Sequence, residues 1–141
     1  MGKKRGSTRG MVWMMTLTEE HIEELRERLA QKGPLWSEWE YKLWRGNIII
    51  YTPVTPWNPD TRKPDPELRY MCKHLRIVPS LPGPFGLEYW RHTEQWSSLP
   101  LVGSIAEIAD FIEADDFGLC APTELPEAMK AEQAPQRDPP E

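Results

Sequence analysis

The chain has 141 residues, with 39% hydrophobic residues, 28% charged residues and a net charge of −5. This is one ordinary domain with a small core, and fifteen Pro plus nine Gly point to long loops without reaching the composition of a wholly disordered chain. No apolar run approaches the roughly 18 residues that span a bilayer, which excludes helical membrane insertion.

Residues 1–15 carry Lys3, Lys4, Arg5 and Arg9 and then Met11-Val12-Trp13-Met14-Met15. That order imitates a signal peptide, but its apolar stretch is too short and no small-residue cleavage site follows. A cytoplasmic protein with a flexible basic arm over 1–15 is the expectation, and Met11, Met14 and Met15 are alternative starts to Met1. Thr16-Leu17-Thr18-Glu19 fits a capping box, and Ile22, Leu25 and Leu29 make one apolar stripe on the helix that follows, stopped by Gly33-Pro34.

From Trp36 the period changes to two. Trp39, Tyr41 and Leu43 alternate with Glu38, Glu40 and Lys42, Arg45-Gly46-Asn47 marks a turn, and the Ile48-Ile49-Ile50-Tyr51-Thr52 run pairs back as a hairpin. Pro53, Pro56, Pro59, Pro64 and Pro66 predict a long loop over 53–66 that cannot continue a central strand. Residues 69–78 suit a strand with Met71, Leu75 and Ile77 inward and His74 and Arg76 outward. Phe85 to Trp90 is the next strand, His92-Thr93-Glu94-Gln95 a tight connection, and Trp96 to Leu99 a short return strand.

Ser104 with Glu107 is a second capping box, and Ile105, Ile108, Ala109 and Ile112 form the stripe of a second helix. After Cys120 the Pro-rich, acidic chain has no apolar period, so 121–141 is expected to be a disordered tail. The fold class expected is α+β: one domain over 16–120, an antiparallel sheet of four to five strands with two amphipathic helices on one face.

The charge is unevenly placed: residues 61–99 are mildly basic and residues 100–141 strongly acidic. A duplex-DNA binder normally carries a basic stripe on its folded part, and that signal is weak here. Cys72 and Cys120 supply neither a CxxC motif nor a disulfide framework, and read as reduced thiols. Asp110, Glu113, Asp115 and Asp116 lack the spacing of a calcium loop, and no metal or cofactor motif is present.

Trp36, Trp39, Trp44, Trp57, Trp90 and Trp96 lie in or beside the expected sheet, either as core or as a stacking platform. Trp39 and Trp44 differ by an odd number, so they point to opposite faces of a regular strand. Trp90, Arg91, His92 and Trp96, with Arg76 and His74 on the adjoining strand, form the candidate binding site. Three readings follow: a non-catalytic protein-binding or accessory module; a single-strand nucleic-acid binder with Arg62, Lys63, Arg69 and Lys73 beside the aromatics; and a small hydrolase or nuclease using His74, His92 and Glu94. Tyr89-Trp90-Arg91, Trp96, and the Ser104-initiated helix ending in Asp115-Asp116-Phe117-Gly118 resemble the C-terminal half of small bacterial domains with no assigned activity. That resemblance implies an α+β fold in the bacterial cytoplasm and no particular chemistry; the 53–66 insert and the acidic tail depart from it.

Overall fold

A computed structural model describes residues 16–80 and 83–130 of the chain. The expected arm at 1–15 and the part of the expected tail at 131–141 lie outside the described residues. Helix α1 (Glu19–Lys32) starts two residues after the position the first capping box suggests, its N-cap being Thr18 and not Thr16. Leu17 is buried in the core, so the chain turns into the helix only after it, and Thr18 is the N-cap. The Thr18 N–H donates to Nδ1 of His21 at 3.0 Å, so His21 takes the place expected of Glu19. Leu17 before the cap and Ile22 in the second turn both join the core, which fixes the angle of entry.

Strands β1 (Glu40–Trp44) and β2 (Asn47–Val54) form the expected hairpin. Its two turn residues, Arg45 and Gly46, both have positive φ (51° and 81°), the geometry whose twist matches that of the flanking strands. A small hairpin of β3 (Trp57–Asn58) and β4 (Lys63–Pro64) and one 3₁₀ turn at Pro66–Leu68 follow. Strands β5 (Tyr70–Pro79), β6 (Phe85–Trp90) and β7 (Trp96–Gly103) then complete a five-stranded antiparallel sheet in the order β1-β2-β5-β6-β7. Helix α2 (Ile105–Ala114) has the capping box expected: the Ser104 N–H donates to Glu107 Oε1 at 2.8 Å, and the Glu107 N–H donates to Ser104 Oγ at 3.2 Å.

Both helices pack on one face of the sheet, as the two narrow stripes require. Ile22, Leu25 and Leu29 of α1 and Ile105, Ile108 and Ile112 of α2 meet Ile48, Ile50, Leu75, Ile77 and Leu87 in a single core. Lys32 at the end of α1 reaches Asp110 (2.7 Å) and Glu113 (3.0 Å) of α2, joining the two helices at their solvent edge. Among the described residues no helix is long and apolar enough to cross a membrane.

Beyond the later start of α1, the small hairpin within 53–66 and the extension of β7 to Gly103, three larger features differ from the sequence reading. Strand β2 runs through Pro53, which pairs with Met71. This is tolerated because β1 ends its pairing at Glu40–Tyr51, so at Pro53 the missing donor has no neighbouring strand on that side. Second, the folded part continues beyond 120. Pro126 is fully buried, Glu124 accepts hydrogen bonds from Thr55 and Arg69 (3.0 Å each), and the Glu127 N–H donates to Glu38 at 3.0 Å. Composition alone misread 121–130, since the partners that hold it lie 55 to 89 residues earlier.

Third, β5 carries a bulge: Ile50 pairs with Leu75 but Tyr51 pairs with Lys73, leaving His74 as the extra residue. Beyond it the alternation reverses, so Met71 and Lys73 lie on the uncovered face with Arg76, and His74 lies on the helix-covered face with Leu75. The expectation of Met71 inward and His74 outward is thereby corrected.

The β6–β7 connection closes with Glu94 N–H to the Arg91 carbonyl (2.8 Å) and Arg91 N–H to the Gln95 carbonyl (2.9 Å), and Glu94 sits at φ 64°. Side chains with a Cβ are strained there, and glycine is not. Glu94→Gly is expected to raise the free energy of unfolding by about 0.5–1 kcal/mol, relief of that strain outweighing the added freedom of the unfolded chain. A urea titration at neutral pH checks it; an unchanged or lower midpoint contradicts it.

Candidate functional site

The uncovered face of the sheet is where the aromatic surplus goes. Direct cross-strand pairs place Lys42 beside Ile49, Ile49 beside Arg76, Arg76 beside Glu88, and Trp90 beside Trp96. Ile49 is buried yet stands outside the main core, because long side chains of this face close over it rather than the helices. Trp39 and Trp44 do separate: Trp39 is 5% exposed in the core and Trp44 is 52% exposed.

Four aromatic rings of this surface each carry a cation. Arg76 lies 4.6 Å from the centroid of Trp96, Lys73 4.6 Å from Trp90, Arg45 5.1 Å from Trp44 and Lys42 5.8 Å from Tyr51. Trp90 and Trp96 themselves meet edge to face with centroids 5.0 Å apart. Arg76 also donates to the Glu88 carboxylate from Nε at 2.8 Å, which anchors its guanidinium beside the indole. Trp90, Trp96 and Arg76, three of the residues singled out in the sequence, are thus brought together.

The other three are not on this face. Arg91 and His92 occupy the exposed β6–β7 turn. His74, on the covered side, meets Trp39 edge to face at 5.5 Å and donates from Nε2 to the Cys120 carbonyl at 3.1 Å. All three nevertheless line one cleft of about 460 Å³ at the end of the sheet, together with Trp90 and Leu119. The bulge is what swings His74 into this cleft.

The chain after α2 forms the other wall of that cleft. Asp115 ends the helix in the left-handed conformation (φ 47°), and its Oδ1 accepts the Cys120 N–H at 2.8 Å. The Cys120 carbonyl then receives His74, so a single loop from 115 to 120 connects helix end to sheet. Sequence reasoning missed Asp115 as a positioning residue, although an Asp at a helix terminus followed by Gly118 was a usable signal.

Burial lowers the pKa of His74 below its ordinary value of 6.5, against opposing contributions from the carbonyls of Cys120 and Ala121. The neutral ring is the form the fold prefers. The corresponding stability is present in full above pH 6.5 and is lost as pH falls through the folded-state value. The denaturant midpoint is therefore expected to fall between about pH 7 and about pH 5, and to fall less in His74→Gln. Identical slopes in the two proteins would contradict this assignment.

Neither the neighbouring thiol nor Glu94 is set to act with these groups. The Cys120 thiol, adjacent to the carbonyl that His74 binds, is pushed up to about 12, mainly by burial and further by Asp115, so it is a poor nucleophile. Glu94 is exposed at its turn and does not line the cleft. Among the described residues no group of three or more His, Cys, Asp and Glu is placed to hold a metal ion. Comparison with protein-family models, with curated proteins and with solved structures finds no match.

Proposed function

We propose that this chain is a non-catalytic binding module that engages a partner protein through the uncovered sheet face. The observation that carries the reading is the packing of Trp90 and Trp96 against each other with Lys73 and Arg76 over their rings, half-buried on an otherwise helix-free face. Trp, Tyr and Arg are the side chains that dominate interface energetics: the aromatic pair buries large areas with few rotors to freeze, and the planar Arg fork makes several hydrogen bonds at once. Here the Glu88 bond and the cross-strand pairing hold Arg76 and both indoles in place before any partner arrives, which lowers the ordering cost of association. The two free cysteines fit a reducing compartment, and we place the module in the cytoplasm.

A second reading, single-stranded nucleic acid, is favoured by one observation: each aromatic ring of the face has a Lys or Arg over it, the pairing that lets bases stack while phosphates are neutralised. Affinity capture from lysate with the wild-type chain and with Trp96→Ala/Arg76→Ala, alongside fluorescein-labelled oligo-dT and oligo-U titrations at low and high salt, separates the two. A protein retained by the wild type and lost by the equally folded variant supports the first. Oligonucleotide binding that quenches tryptophan emission and weakens steeply with salt replaces it with the second. Capture unaffected by the variant, with no oligonucleotide binding, removes both.

A further inference from the structure

On the covered side of the sheet, away from the face above, the end of α1 and the start of β1 leave a cleft of about 360 Å³. Leu29 and Ala30 of the helix form one wall, and Trp36, Trp39 and Tyr41 form the other. Its size lies at the small end of the range for ligand pockets and suits one or two fused rings. The guanidinium of Arg26 lies 5.0 Å from the centroid of Tyr41 and stands at the rim.

One property of this cleft goes beyond shape. Trp36 is 7% exposed and Trp39 5%, and the indole nitrogens of both are closed off, so the surface they offer the cleft is apolar ring. Arg26 is the only charged group among the described residues lining the cleft. Burial pushes the Tyr41 hydroxyl up to about 12, so it stays a neutral donor and adds no negative charge.

We propose that this cleft binds a small apolar carboxylate, its ring or chain against Trp36, Trp39 and Tyr41 and its acid group at Arg26. A cationic ligand is disfavoured, since Arg26 repels it and no carboxylate among the lining residues receives it. The acid group belongs at Arg26 rather than deeper toward Gly33 because Arg26 lies about 9 Å back along the axis from Lys32, clear of the last turn, where the helix dipole is negative.

The test uses naphthalene-2-carboxylate as probe and 2-naphthalenemethanol as its uncharged counterpart, with ¹H–¹⁵N spectra of the indole N–H groups assigned by Trp→Phe variants. The expected result is saturable carboxylate binding that shifts the Trp36 and Trp39 indole signals and leaves Trp90 and Trp96 unmoved. Arg26→Gln, an exposed change on a helix, is expected to weaken the carboxylate by about tenfold or more while leaving the alcohol unchanged. The proposal is overturned if no saturable shift occurs at millimolar probe, if Arg26→Gln leaves carboxylate affinity intact, or if the alcohol binds wild type as tightly as the acid. Because the variants lie outside the open sheet face, these outcomes are independent of the partner-binding reading.

Discussion

Leu75→Ala is expected to lower the free energy of unfolding by about 2–5 kcal/mol, whereas Lys73→Ala, two residues earlier on the same strand, should change it by no more than about 0.5 kcal/mol. In a regular strand positions 73 and 75 share a face and would respond alike. Here they do not, because His74 is the extra residue of the bulge and the alternation reverses across it. Leu75 is fully buried against Ile50 on one side and Tyr89 on the other, in the central strand of the sheet, so its loss leaves a cavity that neighbouring β-strands cannot relax to fill. Lys73 is exposed, with its ammonium over Trp90. Chemical denaturation of both variants is the measurement. Similar losses at the two positions would mean that the bulge is absent and that the assignment of His74 to the covered side is wrong.

A chain ended after Cys120 is expected to lose about 2–4 kcal/mol of stability, although composition alone makes the following residues look dispensable. Three kinds of interaction disappear with it. Pro126 no longer fills its buried position, Arg69 keeps Glu38 but loses Glu124, and Glu38 loses the N–H of Glu127. The truncation also has a pH signature. The Glu127 N–H, followed by Arg69, holds the Glu38 carboxyl below its ordinary value of 4.5, so in the intact chain the stability from Glu38 is present above that value and lost as pH falls through the folded-state one. The shortened chain should show a shallower acid-induced decline below about pH 4.5, because its Glu38 is less shifted. Denaturant midpoints at neutral and acid pH measure both effects. A shortened chain as stable as the full one would show that the contacts of 121–130 contribute nothing.

Most of the architecture was legible because its signals are local. The two capped helices, the Arg45-Gly46 hairpin and the change of period after Gly33 each depend on residues within one or two turns of one another, and the stripes then require both helices to share a face. What escaped depends on distant partners. The bulge at His74 is set by pairing with β2, more than twenty residues earlier, and a single inserted residue leaves no mark on the alternation of Tyr70 to Val78 that could be recognised beforehand. Pro53 reads as a strand breaker in the sequence because the early end of β1 cannot be seen from β2.

The candidate site divides along the same line. Trp90 and Trp96 are linked by a tight turn, so their adjacency follows from the hairpin, and Arg76 joins them through simple strand alternation. The cleft under α1 needed three separate segments, the helix, the 34–37 turn and β1, to converge. The odd spacing of Trp39 and Trp44 did separate a core indole from a surface one, but nothing in the spacing showed that Trp36 and Trp39 would be left with unmatched N–H groups.

Strand β7 borders the sheet and carries Pro100 in its middle, while the opposite border, β1, is only five residues long and alternates Glu40 and Lys42 outward. A proline offers no amide to an incoming strand, and a short charged ribbon gives it little length to template on. Recruitment of another chain by sheet extension, the route to fibrils, is thereby discouraged at both margins. Association is directed to the broad surfaces of the domain, where side chains rather than backbone decide which molecule is accepted.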